Sequence, residues 1–476
     1  MERIEVFMNI GPKASRKTFR HRLNRMTDRL RDEIRNGTYK SGDYLPSETF
    51  LVKEFQLSNK SVRKGLDQLI GEGLIIKVDR VGSQVTSMAS AAATVITMGL
   101  YTSIERDLNL SFLLKDFHSL HPDIQVKTVL MPTDSMSTAS EYLQKGIIDV
   151  LMINNMDFTA SVEKGYIPML EPIAADLEMY SITNDAFSTG GRQYAKPIVF
   201  SPILLAYNTD HFREANVPEP DGSWTWHDAT RYAAALSIPG QRHGLYFYLL
   251  SENRWPAFLL QSGMRFESDE QGFIQLAGTR MLEIMRFCRE LIYDRSIFPN
   301  YLSENSNDVN ELFIQGKVSM IMTNYMTLNE FKNADLNYNI SPLPYLYEPR
   351  SLLNVIGVAL NKASKEKDAA RLLVDYLASP QAQQHIRNST LSLPARKSVA
   401  ESPIAKEDSL NRPSRYFLFR ETMFSYRLHR ELNLSIKSFH TLKQLLKKYW
   451  SCLIDEEELC LLASQQLQVA KSDLPD

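Results

Sequence analysis

Residues 55–75 read FQLSNKSVRKGLDQLIGEGLI, a short helical pattern with a cationic opening turn. Ser58 is followed by Asn59, Lys60, Ser61, Arg63 and Lys64, and only Val62 interrupts them with an apolar side chain. Three cations thus stand at the helix end where the backbone dipole disfavours positive charge, at about a few tenths of a kcal/mol each. A polyanionic partner offsets that cost, because each phosphate met by Lys or Arg releases condensed counterions.

The surrounding sequence supplies a frame for this helix. Between Thr18 and Asn36 the apolar residues Phe19, Leu23, Met26, Leu30 and Ile34 recur at helical spacing, and Gly37 after Asn36 supplies a stop. In YKSGDYLPSETFLVKEF (39–55), Pro46 breaks the chain and Ser47 is placed to cap a helix beginning at Glu48 that buries Leu51, Val52 and Phe55. After a turn at Gln56-Leu57, Ser58 caps the third helix. Val62, Leu66, Leu69 and Ile70 then face inward, leaving Asn59, Lys60, Ser61, Arg63 and Lys64 outward. LIIKVDRVGSQV (74–85) reads as two short strands around Asp79-Arg80-Val81-Gly82. Three helices and a hairpin are the plan of a winged helix-turn-helix, whose recognition helix enters the DNA major groove by its N-terminal residues.

Charge follows the same division. Residues 1–86 carry 17 Lys and Arg against 11 Asp and Glu, a balance of +6, and the total of −2 leaves −8 for the remainder. A small basic module attached to a large acidic body points to a polyanion as partner of the first.

The stretches LRDEIRNGTYKSGDYLPSE (30–48) and LSNKSVRKGLDQLIGEGLI (57–75), with the wing, resemble the DNA-binding domain of GntR-family bacterial regulators over about residues 18–86. The resemblance implies phosphate and base contacts to double-stranded operator DNA from Ser47, Ser61, Arg63 and Gly82, and Asn59, Lys60, Lys64 and Arg80 complete the candidate set. Two departures bear on the operator sequence. Asn59 stands where the family often has Arg, and suits an adenine edge; the wing closes with Gly82-Ser83-Gln84-Val85 in place of a Gly-Thr-Phe-Val-like segment.

Beyond SMASAAA (87–93), strand-like VITMGLY (95–101), helical LSFLLKDFHSL (110–120), strand-like IQVKTVL (124–130) and VLMI (150–153) alternate. That order implies a parallel α/β sheet, with long helical stretches from about residue 365 onward. The expected organisation is an N-terminal arm over 1–17, the winged helix over 18–86, a linker over 87–94 and a body over 95–476.

Seven stretches of the body resemble, in order, the extracellular solute-binding proteins related to maltose-binding protein. They are FLLKDFHSLHPDIQV (112–126), LQKGIIDVLMINN (143–155), the run from AKPIVFSPILLAYN to RYAAAL (195–236), LFIQGKVSMIM (312–322), SPLPYL (341–346), GVALNKASKEKDAARLLVDYLASPQAQ (357–383) and LPARK (393–397). The resemblance implies the two-lobed periplasmic-binding-protein-like fold (type II), with a small solute held between the lobes, a sugar or oligosaccharide being the family's commonest choice. Candidate ligand residues by position are Thr102, Ser103, Asn154, Asn155, Ser201, Glu252, Trp255, Asn324 and Tyr325: amides, hydroxyls and a carboxylate for sugar hydroxyls, aromatic faces for the ring. Trp226 in TWHDA reads as structural. Met326 occupies the place where the family often has a tryptophan, and Ser201 the place where some members hold a carboxylate.

No G-x-S-x-G, H-E-x-x-H, Walker-type loop or dinucleotide fingerprint occurs. His118 and His121 lack a third ligand nearby, Asp455–Glu458 read as a solvated helix start, and Cys288, Cys452 and Cys460 lack zinc or redox spacing. No catalytic activity, metal or cofactor is expected. With no signal peptide and no apolar run of about 18 residues or more, the expectation is a cytoplasmic, ligand-responsive transcriptional regulator, a homodimer on DNA and away from membranes. The alternative is the solute-binding component of a carbohydrate ABC transporter.

Overall fold

The computed structural model describes residues 16–35, 38–79, 81–86, 94–131, 136–299, 305–404 and 409–470. The arm before Arg16, the stop at Asn36-Gly37, Arg80 and linker residues 87–93 lie outside the described residues.

In the N-terminal unit, α1 (Arg16–Arg35), α2 (Glu48–Phe55) and α3 (Asn59–Gly71) precede the hairpin of β1 (Ile75–Val78) and β2 (Gly82–Val85). The two expected serine caps form: Ser47 Oγ accepts from Phe50 N and Ser58 Oγ from Ser61 N, each at 3.3 Å. Gln56 ends α2 in the left-handed region, φ +51°, which turns the chain sharply enough for α3 to start three residues later. Met26, Leu30, Ile34, Leu51, Val62, Leu66 and Leu69 close one core with Ile75 and Val85 of the wing. Arg31 on α1 forks onto Glu72 at the end of α3, with N–O distances of 2.8 and 2.7 Å, a bidentate geometry that fixes the crossing of the two helices.

The body is built around one ten-stranded sheet. Its main strands are β3 (Thr94–Leu100), β4 (Ile124–Leu130), β5 (Val150–Asn154), β6 (Ala195–Asn208), β7 (His243–Tyr246), β8 (Val318–Asn324), β9 (Tyr338–Ser341) and β10 (Ser351–Leu360). The order is β4-β3-β5-β10-β6-β8-β7, with β9 also on β6. Two lobes follow from how β6 is shared. Its first half pairs with β10, from Ala195↔Ala359 to Pro202↔Leu353. Its second half pairs with β8 and β9.

The parallel pairing expected from the alternation of strands and helices is found within each lobe and gives way between them. β3 with β5, and β7 with β8, are parallel, whereas β10 runs antiparallel to β5 and to β6, and β6 antiparallel to β8. The physical reason is that β6 and β10 carry the chain between the lobes, in opposite senses. The helical C-terminal part contains Lys367–Leu377, Pro380–Ser389, α8 (Ile436–Trp450) and α9 (Glu456–Gln466), but residues 390–435 are mostly short elements. Trp226, fully buried, donates from Nε1 to Gln261 Oε1 at 3.0 Å, a structural position.

His211, after β6, gives the second lobe a pH dependence. Its Nδ1 lies 3.0 Å from Ser319 Oγ, and burial, helped by the positive charge of Arg242, pushes its pKa from about 6.5 down to about 4. The folded imidazole stays neutral where the unfolded one takes a proton, so its contribution is present in full above about pH 6.5 and is lost as pH falls towards 4. His211→Gln is expected to flatten that part of the stability profile, read as the wild-type minus variant difference in melting temperature between pH 7 and 4.5.

Candidate functional site

The outer face of α3 is cationic. Asn59, Lys60, Arg63 and Lys64 are exposed. Arg63 is held by Glu48 at the start of α2, Nε to Oε2 2.8 Å, and Lys77 of β1 approaches the same carboxylate at 3.9 Å. Lys77, missed in the sequence, therefore shares that carboxylate with Arg63; the strand IIKV buries Ile75 and exposes both Ile76 and Lys77, so alternation gave no signal for it. Gly82 opens β2 at φ +147°, a conformation side-chain-bearing residues rarely adopt, and its role there is to shape the wing. Ser47 is exposed and occupied as a cap. Ser61 was expected on the outer face and is buried instead: at the third helical position it faces the cap, its hydroxyl 2.7 Å from Ser58 Oγ.

In the body, Thr102, Ser103, Asn154, Asn155, Glu252 and Asn324 come together around one cleft of about 420 Å³. They come from the ends of β3, β5 and β8, the start of α5 (Asn155–Glu163) and the segment before the helix Trp255–Leu260. Strand ends and helix starts converge there because α/β sheets leave a crevice beyond the carboxyl ends of their strands.

Several of these groups are already engaged. Asn154 Oδ1 caps α5, accepting from Met156 N and Asp157 N at 2.9 and 2.8 Å, and its Nδ2 donates to Asp157 Oδ2 at 2.8 Å. The Tyr101 hydroxyl donates to the same carboxylate oxygen. Asn155 is buried, with Oδ1 accepting from Val355 N at 2.9 Å. Glu252 is ion-paired to Lys443 of α8 at 2.9 Å, with His440 Nδ1 at 3.6 Å. Asn324 Oδ1 accepts from Thr327 N at 2.9 Å, which leaves its NH₂ group for the cleft.

The other three candidates do not reach the cleft wall. Ser201 is fully buried and accepts from Tyr325 N at 2.6 Å. Tyr325 is 1% exposed, with its ring edge-on to Tyr416 and its hydroxyl donating to Tyr416 O at 2.9 Å. Asn324 and Met326 line the cleft, so their shared neighbour falls on the opposite side of the chain. Trp255, also 1% exposed, packs on Phe439 of α8 with ring centroids 4.5 Å apart.

Sequence reasoning missed Tyr101, Arg106, Asp157, Lys164, Asn354, His429 and His440, which also line the cleft. Arg106 bridges Asp107 at 2.8 Å and Glu330. Burial raises the Asp107 carboxyl against the pull of Arg106. His429, kept neutral by burial, bonds through Nε2 to Glu252 O at 2.9 Å, so that nitrogen carries the hydrogen. The histidines lie far along the chain from the other wall residues and gave no local signal. Asn354 did: it is the one amide in the apolar run SLLNVIGVAL. Among the described residues no group of three or more His, Cys, Asp or Glu could hold a metal ion, and no helix is long and apolar enough to cross a membrane.

Comparison with known proteins finds two families in the chain. Residues 113–413 match the family described as "Bacterial extracellular solute-binding protein", and residues 23–85 match "Bacterial regulatory proteins, gntR family". The chain therefore belongs to the bacterial extracellular solute-binding proteins and carries a GntR-family domain at its N-terminal end. It is 28% identical over 275 residues to the galactooligosaccharide-binding protein of Bacillus subtilis, covering 54% of this chain and 62% of the relative. It is 35% identical over 74 residues to the mannosyl-D-glycerate transport/metabolism system repressor MngR of Escherichia coli, covering 14% of this chain and 31% of the relative. The maltose-bound T. maritima MalE3 structure superposes with a TM-score of 0.66 at 21% identity, covering 78% of this chain and 98% of that one, a likeness of fold. The chain spans 66% or less of the length of the curated binding proteins it matches.

Proposed function

We propose that this chain is a ligand-responsive transcriptional regulator: its winged helix binds operator DNA, and its two-lobed body senses a small solute in the cleft, with saccharides the favoured class. The observation that carries the reading is the union, in one chain, of a GntR-family domain with a cationic recognition face and a solute-binding body with a polar cleft. The saccharide class is supported by the ligands for which relatives and fold neighbours are named. The regulator acts in the cytoplasm, as a homodimer on a near-palindromic site of the kind winged-helix readers use. Solute and DNA then alter each other's affinity by the same factor.

A thermal-shift series on the full chain tests the ligand half. A saccharide at about 100 times its dissociation constant is expected to stabilise the body by about 2.7 kcal/mol. DNA selected from a random-sequence pool, titrated with and without that saccharide, tests the regulator. Equal DNA affinity in both titrations removes the regulatory reading. The family match also favours a second reading, a transport binding component; cell fractionation that finds the protein outside the cytoplasmic membrane would establish it.

A further inference from the structure

Asn354 sits in β10 between two residues whose backbone is held by another side chain. The β5–β10 ladder ends at the Asn154↔Ile356 pair. Beyond it the Asn155 amide stands in for the missing ladder residue, accepting from Val355 N at 2.9 Å and reaching Leu353 O at 3.4 Å. That clamp holds residues 353–355 extended and fixes Asn354 at the cleft wall. Its Nδ2 is nevertheless buried without a hydrogen-bond partner among the described residues. A buried amide donor left unpaired is costly, and Asn354 belongs to the cleft wall, where a solute can supply the partner.

The rest of the wall sharpens what that partner is. Asn154, Asn155, the Tyr101 hydroxyl and Glu252 are committed to protein partners. Among the described residues Tyr101 is the one Tyr, Trp or Phe in the wall, a single flat face where an oligosaccharide chain stacks across several. Trp255 is covered by Phe439 and Tyr325 lies against Tyr416, while Met326 takes the neighbouring place at the cleft. A cavity of about 420 Å³ lies in the lower part of the roughly 300–1,000 Å³ range of small-molecule sites.

We infer that Asn354 is the donor that reads the solute, and that the solute is a compact polyol of monosaccharide size offering an acceptor oxygen to its Nδ2, not an oligosaccharide stacked across aromatic rings. The inference rests on the saccharide reading of the cleft.

The test is isothermal titration of the full chain with glucose, galactose and mannose, and with maltose and maltotriose. Asn354→Asp keeps the shape but replaces the donor by an acceptor, and Asn354→Ser keeps a smaller donor. A monosaccharide is expected to bind the wild-type chain, to lose at least about tenfold in affinity in Asn354→Asp, as sites built to hydrogen-bond a substrate do when the pairing is removed, and to recover part of it in Asn354→Ser. Unliganded melting curves show whether each variant is folded; where Asn354→Asp is not, the loss is read from Asn354→Ala, which removes the donor without adding a charge. Monosaccharide binding unchanged in the variants, or binding confined to maltose and maltotriose, overturns the inference while leaving the saccharide reading intact. If no saccharide of either size binds, the saccharide reading itself falls.

Discussion

Replacing Lys60, Arg63 and Lys64 together by alanine is expected to weaken DNA binding across all sequences and to flatten its salt dependence. Each phosphate met by a cation contributes about 0.9 to the slope of log affinity against log salt, so removing three such cations lowers that slope by roughly 2.7. All three side chains are exposed, and none is in the core that closes the winged helix. The melting temperature should therefore barely move, surface changes of this kind usually falling within about 0.5 kcal/mol. Asn59→Ala is expected to behave differently, relaxing the preference at one base pair by about 1–3 kcal/mol with little change in slope. An unchanged slope in the triple variant would show that α3 does not meet the phosphates.

The second large effect is predicted in the body, at Gly244. This residue lies in β7 beneath the helix Trp226–Leu236, and a Cβ built there falls 1.9 Å from Ala233 O and 2.4 Å from its carbonyl carbon. The obstacle is backbone, so no rotamer change relieves it; helix and strand must separate in a core that is close-packed. Gly244→Ala is expected to cost about 3 kcal/mol and to lower the temperature at which solute binding is lost with folding. Gly222→Ala is the matched control, because a Cβ there meets only Pro342 Cγ, at 3.8 Å. Denaturant titration of both variants decides the matter: a Gly244→Ala midpoint equal to that of the control would mean that the helix–strand approach is not as close as described.

What could be read in advance differed sharply between the two parts of the chain. The caps at Ser47 and Ser58 and the buried stripe from Met26 to Ile34 depend on neighbours within four residues, and local spacing carries that information. Ser61 escaped because its polar side chain hid its place on the buried stripe: it stands one turn before Gly65 and two before Leu69, both buried with it. The cleft is assembled from strand ends hundreds of residues apart. Motif order placed Thr102, Asn154, Glu252 and Asn324 at one site, but not which side chains were already engaged in caps and ladders. Tyr325 shows the limit: β8 is buried on both faces, so no alternation in its sequence distinguishes the side facing the cleft from the side facing Tyr416.

The shared strands also set an order on the birth of the molecule. The pairings that finish the first lobe join Asn154 to Ile356 and Ala195 to Ala359, with the whole second lobe lying between them in the chain. At about 5–20 residues per second, a ribosome completes the winged helix, whose last pairing is Ile75↔Val85, well before it delivers β10. For that interval β5 has its β3 neighbour on one side and an open edge on the other. Such edges invite association with other chains, so slowing translation between residues 208 and 351 is expected to raise aggregation of nascent chains, and that stretch is where a chaperone would have most to protect.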